Sequence, residues 1–549
     1  MNPRLRTAII AAIVFVVCFD LAWFWQHHLG AHSSELGGHP DEAAHYVTGL
    51  MVHDYVEAGF PGSPMGFAKT YYDHYPKIGL GIWPPVFYAV QTAWTLVLGT
   101  QRGVLLWLMA VLAAVLAVQV FRALASLYGA GLAVLGALAT VCLPLAVEYY
   151  SMVMAETLCA VLMFGAVVAW GRFLDEERGR DAILFGLLAG LAIMTKGTGL
   201  ALALAAPLAL AMARRWKLLL RPAVWGAVLL VGIIAGPWTW LFRNLGREKG
   251  GWLEASPSWH FSAEAAPYYL GKLGLALGSL CDHDHPIILG PLLLLAVVGA
   301  FARIFRPGPQ RGLWASTGGL ILGVLIFQAV LPVGLEARHL ISILPAAILF
   351  AVSGFETFRR WLRHRQKRPD GPANAFEVAL AALILAVGVF LAHRVDPLEP
   401  KNCSGFAALA AAVLEDPEAR NKSVLIASDA TGEGMFISEY AMRDQNRPGG
   451  TVKRASKETA SMDWAGRGVR LRFASDEELI AWIQAAKIGC IITDTSMPEE
   501  KRGPHHDQLI HLCEEHSDAF WPAAASPIIR AGQSLPKTAR LYLVRPGTP

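Results

Sequence analysis

Charge is scarce in this chain. Asp, Glu, Lys and Arg make up 16% of its 549 residues, while 54% are hydrophobic and the mean hydropathy is +0.41. Soluble domains carry about 25% charged residues, so an ordinary globule is excluded and a polytopic membrane protein is indicated. The net charge of +4 is small and spread over many loops. No basic face interleaved with aromatics, as a nucleic-acid binder needs, is evident. The seven cysteines include no CxxC pair. Cys18, Cys142 and Cys159 lie in apolar runs and read as packing residues; Cys403, Cys490 and Cys513 fall in the C-terminal region, where a disulfide is allowed but not specified. Internal repeats and low-complexity stretches are absent.

What is present is a series of apolar runs. A helix needs about 20 apolar residues to cross a bilayer. Runs that approach this cover 7–25, 104–124, 129–147, 151–173, 182–195, 198–213, 222–242, 286–304, 312–332, 338–358 and 374–393, with a shorter one at 83–99 that starts WPPVFY. Lys and Arg concentrate in cytoplasmic loops. The basic loops 214–221, 303–311, 359–368, 172–180 and 121–129, with Arg4 and Arg6, share one side only if 83–99 lies at the interface and does not cross. That leaves about eleven spans. It puts 27–103, 148–151, 195–198, 243–285, 333–338 and everything after 394 on the far, extracytoplasmic side. The first run starts like a signal peptide but lacks a clear small-residue cleavage site, so a retained anchor is expected.

Beyond residue 400 the composition changes. SVLIASD, KIGCIITDT and ARLYLVRP read as buried strands, with GEGMFISEYAMRDQ and DEELIAWIQAA as helices between them. Alternating strands and helices indicate a small soluble α/β domain with a mainly parallel sheet. The expected division is a membrane domain over 1–399, whose first extracytoplasmic loop (27–103) carries juxtamembrane helices, and an extracytoplasmic α/β domain over 400–549. The glycines of DATGEG could let backbone N–H groups cradle an anion. Their spacing matches neither the dinucleotide nor the P-loop pattern, and an ordinary strand-to-helix turn is the simpler reading.

Ionisable groups at a membrane edge are costly and mark function by default. The densest set is HPDEAAHYVTGLMVHDY (39–55), straight after the first apolar run. Pro40 followed by Asp41 and Glu42 also makes a good helix start, but that accounts for one carboxylate and not for Lys69, His74, Lys77 and Arg102 in the same loop. Glu148 and Glu156 flank the next far-side turn. Lys196 sits in MTKGTG, a Gly-rich break between two short runs, where irregular backbone lines sites; snorkelling to the interface is the alternative. Arg243 and its neighbours put cations on a side that topology disfavours, and Glu336, Arg338 and His339 stand at another edge. Carboxylates that can take a proton from a hydroxyl and cations that can neutralise a phosphate leaving group thus gather on one face. A substrate with a hydrocarbon tail and a polar head suits such a place.

Together PDEAAHY, HYPKIGLGIWPPVFY, Arg102, EYYSMVMAETL, GLAIMTKGTGLAL and ARHLISILP, in this order over residues 39–345, resemble the polytopic GT-C glycosyltransferases, in the branch of protein O-mannosyltransferases and the lipid A aminoarabinose transferase. The resemblance implies a GT-C-like helical membrane fold and an inverting transfer from a polyprenyl-phosphate sugar to a hydroxyl or phosphate acceptor on a lipid or glycan. It implies Asp41 as base, with Glu42 positioning it or capping the helix, and Lys77, Arg102, Lys196 and Arg338 as phosphate contacts. His45, His74, Glu156 and Arg243 are further candidates. A bacterial inner membrane is the expected location. AAHY stands where the family usually has an Arg-Tyr pair, so His45 is a candidate substrate contact. The mannosyltransferases' inserted lumenal domain is absent.

Two other classes compete: a lipid-linked sugar transporter, and a non-catalytic membrane scaffold. Transporters commonly show repeated halves, and none is found. No cofactor is expected. His27, His28, His32, His39, His45, His53 and His74, with CDHDH at 281–285, could hold a divalent ion, though their spacing matches no closed zinc motif.

Overall fold

The computed structural model describes residues 2–79, 83–248, 267, 271, 297–300, 302–304, 310–330, 336–367, 371, 373–395, 397–417, 419–420, 422–461, 468–530 and 536–545. Its N-terminal part is helical: α1 (Pro3–His28), α2 (Pro40–Glu57), α3 (Pro64–His74), α4 (Val86–Leu98), α5 (Arg102–Tyr128), α6 (Ala130–Cys142), α7 (Pro144–Tyr150), α8 (Glu156–Glu176), α9 (Gly179–Ile193), α10 (Leu202–Ala213), α11 (Pro222–Glu248), α12 (Arg311–Val330), α13 (Leu344–Arg365) and α14 (Ala375–Val395). Helix α12 packs on α10 and α8, α11 on α9, and α5 on α6 and α1. Small residues permit the close approaches. A Cβ added at Gly171 would lie 2.7 Å from Leu313 Cα, and one at Gly319 would lie 2.5 Å from the Ala205 carbonyl oxygen.

Seven helices among the described residues are long and apolar enough to cross a membrane, and α6 with α7, bent by 56°, makes an eighth if the pair is one span. The expected number was about eleven. The difference is one of length. Helix α9 has 15 residues and α10 has 12, about 22 and 18 Å at 1.5 Å per residue, against a hydrocarbon core of about 30 Å. Most of the run 286–304 lies outside the described residues. The run at 83–99 forms α4, whose 13 residues reach about 20 Å.

The C-terminal part holds α15 (Phe406–Glu415), β1 (Ser423–Ala427), α16 (Ala430–Arg443), β2 (Thr451–Arg454), β3 (Ala460–Ser461), β4 (Arg470–Leu471), a helix over Asp476–Ala485, β5 (Ile488–Asp494), a helix over Pro504–Glu515, β6 (Phe520–Ile528) and β7 (Lys537–Val544). The main sheet runs β2-β1-β5-β7-β6. Strand β1 is parallel to β2 and β5, but β7 is antiparallel to both β5 and β6. The sheet is therefore mixed, where a mainly parallel one was expected. The helix over Pro504–Glu515 carries the chain past β5 to β6, and β7 then returns as an antiparallel partner between them, which needs no crossover helix. Cys18, Cys142, Cys159, Cys490 and Cys513 are free thiols.

Candidate functional site

The site begins at the N-terminus of α2. His39 caps it, accepting from the Asp41 amide through Nδ1 at 3.0 Å. Pro40 presets the first helical turn. Asp41 leaves this turn toward Arg338, in the 3₁₀ segment Ala337–Ile343. Arg338 Nη1 donates to Asp41 Oδ2 at 2.7 Å, its Nε lies 2.8 Å from Glu336 Oε2, and Glu156 Oε1 stands 3.8 Å away. Glu156 also pairs with Lys196, which caps the 3₁₀ turn Gly197–Ala201 at the break between α9 and α10. Thus Asp41, Glu156, Lys196, Arg338 and Glu336 form one network drawn from four separate stretches of the chain.

Burial is the largest influence on the Asp41 carboxyl and pushes its pKa up. The hydrogen bond and charge of Arg338, with His39 and His45, outweigh it and hold the group below its ordinary value. Asp41 is therefore ionised at neutral pH and still 32% exposed, within reach of an incoming hydroxyl. Its neighbour Glu42 is buried, and its two oxygens accept from the amides of Gly38 at 3.0 Å and Val153 at 3.1 Å. Glu42 thereby ties the start of α2 to the turn before α8.

His45 is buried one turn into α2. Its Nδ1 lies 2.8 Å from Tyr88 Oη and its ring stacks on Trp83 at 4.3 Å. Burial lowers its pKa to about 4, so the ring is neutral. Trp83 and Tyr88 were not singled out by the sequence.

The other expected cations make contacts of their own. Arg102 pairs with the buried Glu439 of α16, which Arg443 also contacts; it does not reach Asp41. Lys77 Nζ donates to the Ala430 carbonyl at 2.7 Å. His74 Nδ1 lies 2.9 Å from the Gly450 carbonyl. The backbone of Arg243 is within α11, and its side chain lies outside the described residues. The first loop is further joined to the C-terminal part by Asp54 with Arg447 (2.9 and 3.1 Å), Tyr75 with Asp444 (2.6 Å), and Glu35 with the amides of Gly405, Phe406 and Ala407 at 2.7–3.0 Å. Lys401 pairs with Glu148. Apart from Arg443 with Glu439, one helical turn apart, none of these contacts has a local signal, because their partners are hundreds of residues apart; Arg102 and Glu439 are separated by 337.

Among the described residues, one group has metal-ligand proximity: His53, Asp54 and Glu57, their ligand atoms within 4.8 Å of one another. Asp54 is already engaged by Arg447 and Tyr71, and His53 Nδ1 lies 2.9 Å from Thr95 Oγ1. The CDHDH stretch lies outside the described residues.

The sequence matches the family model for dolichyl-phosphate-mannose-protein mannosyltransferase over residues 83–240. Among solved structures, ArnT from Cupriavidus metallidurans in the apo state is similar with a TM-score of 0.57 at 13% identity, covering 98% of this chain and 97% of that one. The chain has the fold of ArnT. The likeness extends to ArnT from the same organism bound to undecaprenyl phosphate, with a TM-score of 0.54 at 13% identity and the same coverage. The Archaeoglobus fulgidus oligosaccharyltransferase in complex with Zn and sulfate has a TM-score of 0.53 at 12% identity, covering 87% of this chain and 67% of that one. No curated protein matches the sequence.

Proposed function

We propose that the protein is an inverting glycosyltransferase that moves a sugar from a polyprenyl-phosphate-linked donor to a hydroxyl or phosphate acceptor on a lipid or glycan. The observation that carries this reading is the Asp41–Arg338 contact at 2.7 Å. It sets a partly exposed, ionised carboxylate and a phosphate-binding guanidinium side by side, with Lys196 one carboxylate away. Asp41 takes the proton of an acceptor hydroxyl, and the freed oxygen attacks the anomeric carbon. The bond from that carbon to the phosphate oxygen breaks, and the lipid phosphate leaves with the electron pair. Arg338 and Lys196 neutralise the charge that develops on it, and Lys77 joins them. Glu42, with both oxygens committed to backbone amides, positions the turn that carries Asp41. The ArnT-like fold and the family match support the assignment, and a relative of that fold binds undecaprenyl phosphate. The charge asymmetry of the loops supports the extracytoplasmic face of the plasma membrane.

The test uses purified protein in nanodiscs with a panel of undecaprenyl-phosphate sugars, following release of undecaprenyl phosphate. Wild type should release it with one donor. Asp41→Asn should lose about 10²–10⁴-fold in rate while binding the lipid phosphate as tightly. Saturable lipid binding without release from any donor would replace this reading with a transporter or a scaffold.

A further inference from the structure

Helix α16 belongs to the C-terminal part, yet it forms one wall around Lys77. The Lys77 ammonium donates to the carbonyl of Ala430, in the first turn of α16, at 2.7 Å. Its chain then passes Gly434. A Cβ built there would lie 2.9 Å from Lys77 Cε, 3.3 Å from Nζ and 3.1 Å from Ala43 Cβ. A side chain at 434 would thus crowd Lys77 and also Ala43 of α2, two residues from Asp41.

The first turn of α16 is itself held rigidly. Its cap, Asp429, accepts from the Gly432 amide at 2.8 Å and from Arg530 Nη1 at 2.9 Å. The buried Arg530 is fixed in turn by Asp494, Ser428 and Ser496, at 2.5, 2.9 and 2.9 Å. Asp494 ends β5, and Ser428 and Asp429 follow β1. The parallel part of the sheet therefore anchors the turn that meets Lys77. Among the described residues the buried ammonium donates to one neutral carbonyl and forms no ion pair, and an anionic ligand would satisfy its remaining donors.

We propose that α16 completes the donor site: the Ala430 carbonyl and the bare Cα of Gly434 seat Lys77 so that its ammonium meets the lipid phosphate. Ala430 and Gly434 are positioning residues, and the inference rests on the reading above that Lys77 contacts this phosphate. It gives the C-terminal domain a part in donor binding, through the wall it supplies.

The experiment measures the Kd of undecaprenyl phosphate for the full chain in nanodiscs. Gly434→Ala is expected to weaken binding about tenfold without loss of fold, since alanine is the better helix former and the displaced atoms are the end of a flexible side chain. Lys77→Met should weaken binding as well, and Gly434→Ala should add nothing to it. A pH profile separates seating from general damage. Burial, with the charge of Arg454, lowers the Lys77 pKa to about 7, while Glu433, Asp41 and Asp429 raise it. Wild-type affinity should then fall as pH rises through 7, and Gly434→Ala, which expels the ammonium toward water, should move that fall to higher pH. Should Gly434→Ala fail to fold, Ala43→Gly with Gly434→Ala relieves the α2 contact and keeps the one with Lys77. If Lys77→Met weakens binding but Gly434→Ala changes neither Kd nor pH profile, the seat is refuted and the phosphate contact stands. If Lys77→Met binds like wild type, the phosphate contact fails and the seat with it. Additive losses in the double variant would also overturn the proposal, because α16 would then act through another group.

Discussion

Removing the guanidinium of Arg338 should separate the two halves of the proposed chemistry. Arg338 is 13% exposed and lies 2.7 Å from Asp41, 2.8 Å from Glu336 and 3.8 Å from Glu156. In Arg338→Ala the Asp41 carboxyl keeps its burial, the largest influence on it, and loses the hydrogen bond and charge that hold its pKa down. Its pKa must rise. A base works only when deprotonated, so the acid limb of the rate-against-pH profile should move to higher pH. The leaving phosphate loses a charge-assisted contact worth about 2–3 kcal/mol, roughly a 30- to 150-fold increase in Kd for undecaprenyl phosphate. Arg338→Lys keeps a charge without the planar fork and should fall between. Turnover over pH 4–9 and lipid titration of the same nanodisc samples read both effects. Unchanged lipid affinity with a shifted acid limb would leave Arg338 as a partner of Asp41 alone. An unshifted acid limb would refute the role of Arg338 in setting the base.

Glu156→Gln removes the partner of Lys196 at a position only 2% exposed and should cost about 3 kcal/mol of stability, read by thermal unfolding; an unaltered transition would show that Lys196 finds another partner. A double-mutant cycle on Asp54→Asn and Arg447→Ala, a pair at 2.9 and 3.1 Å, should give a coupling above about 1 kcal/mol, whereas additivity would mean this contact does not fasten the C-terminal domain. His45 titrates at about 4 in the folded protein against about 6.5 in an unfolded chain. Its folded pKa is depressed, so the folded state binds fewer protons between these values and loses stability as pH falls from 6.5 to 4, by roughly 3 kcal/mol. His45→Gln should flatten that part of the stability-against-pH curve, and an unchanged slope would mean that the ring is solvated.

The elements that were legible in the sequence are those whose signal is local. The long apolar runs, the helix start at Pro40-Asp41, the break at Lys196 and the strands of β1, β5 and β7 all follow from composition and spacing over a few residues. Strand β6 was not. Its sequence, FWPAAASPI, holds two prolines, which argue against a strand except at a sheet edge, and β6 pairs with β7 alone. The mixed sheet follows from that one omission, since β7 without β6 looks like another parallel strand. Span number is harder to read because α9 and α10 are mostly apolar but only 15 and 12 residues long, and hydropathy reports composition before length.

The network at Asp41 was legible only as an inventory. Asp41, Glu156, Lys196 and Arg338 all stood out as costly charges at membrane edges, and the structure brings these four together. The same logic gathered Arg102 and His74, which turn instead to Glu439 and Gly450. A sequence shows that a charge is present near a bilayer and not what neutralises it. The difference lies in the C-terminal domain. Arg102 finds the Glu439 carboxylate of α16 there, and the desolvation that makes it conspicuous is then offset by protein instead of substrate. Arg338 and Lys196 lie in irregular turns between helices of the N-terminal part, with carboxylates of their own network for company. The split between a cation at Asp41 and a cation held by α16 orders the expected mutational effects: loss of Arg338 should act on chemistry and lipid affinity together, and loss of Arg102 chiefly on domain docking. Equal loss of undecaprenyl-phosphate affinity in Arg102→Ala and Arg338→Ala, with the domain still docked by hydrogen exchange, would contradict that ordering.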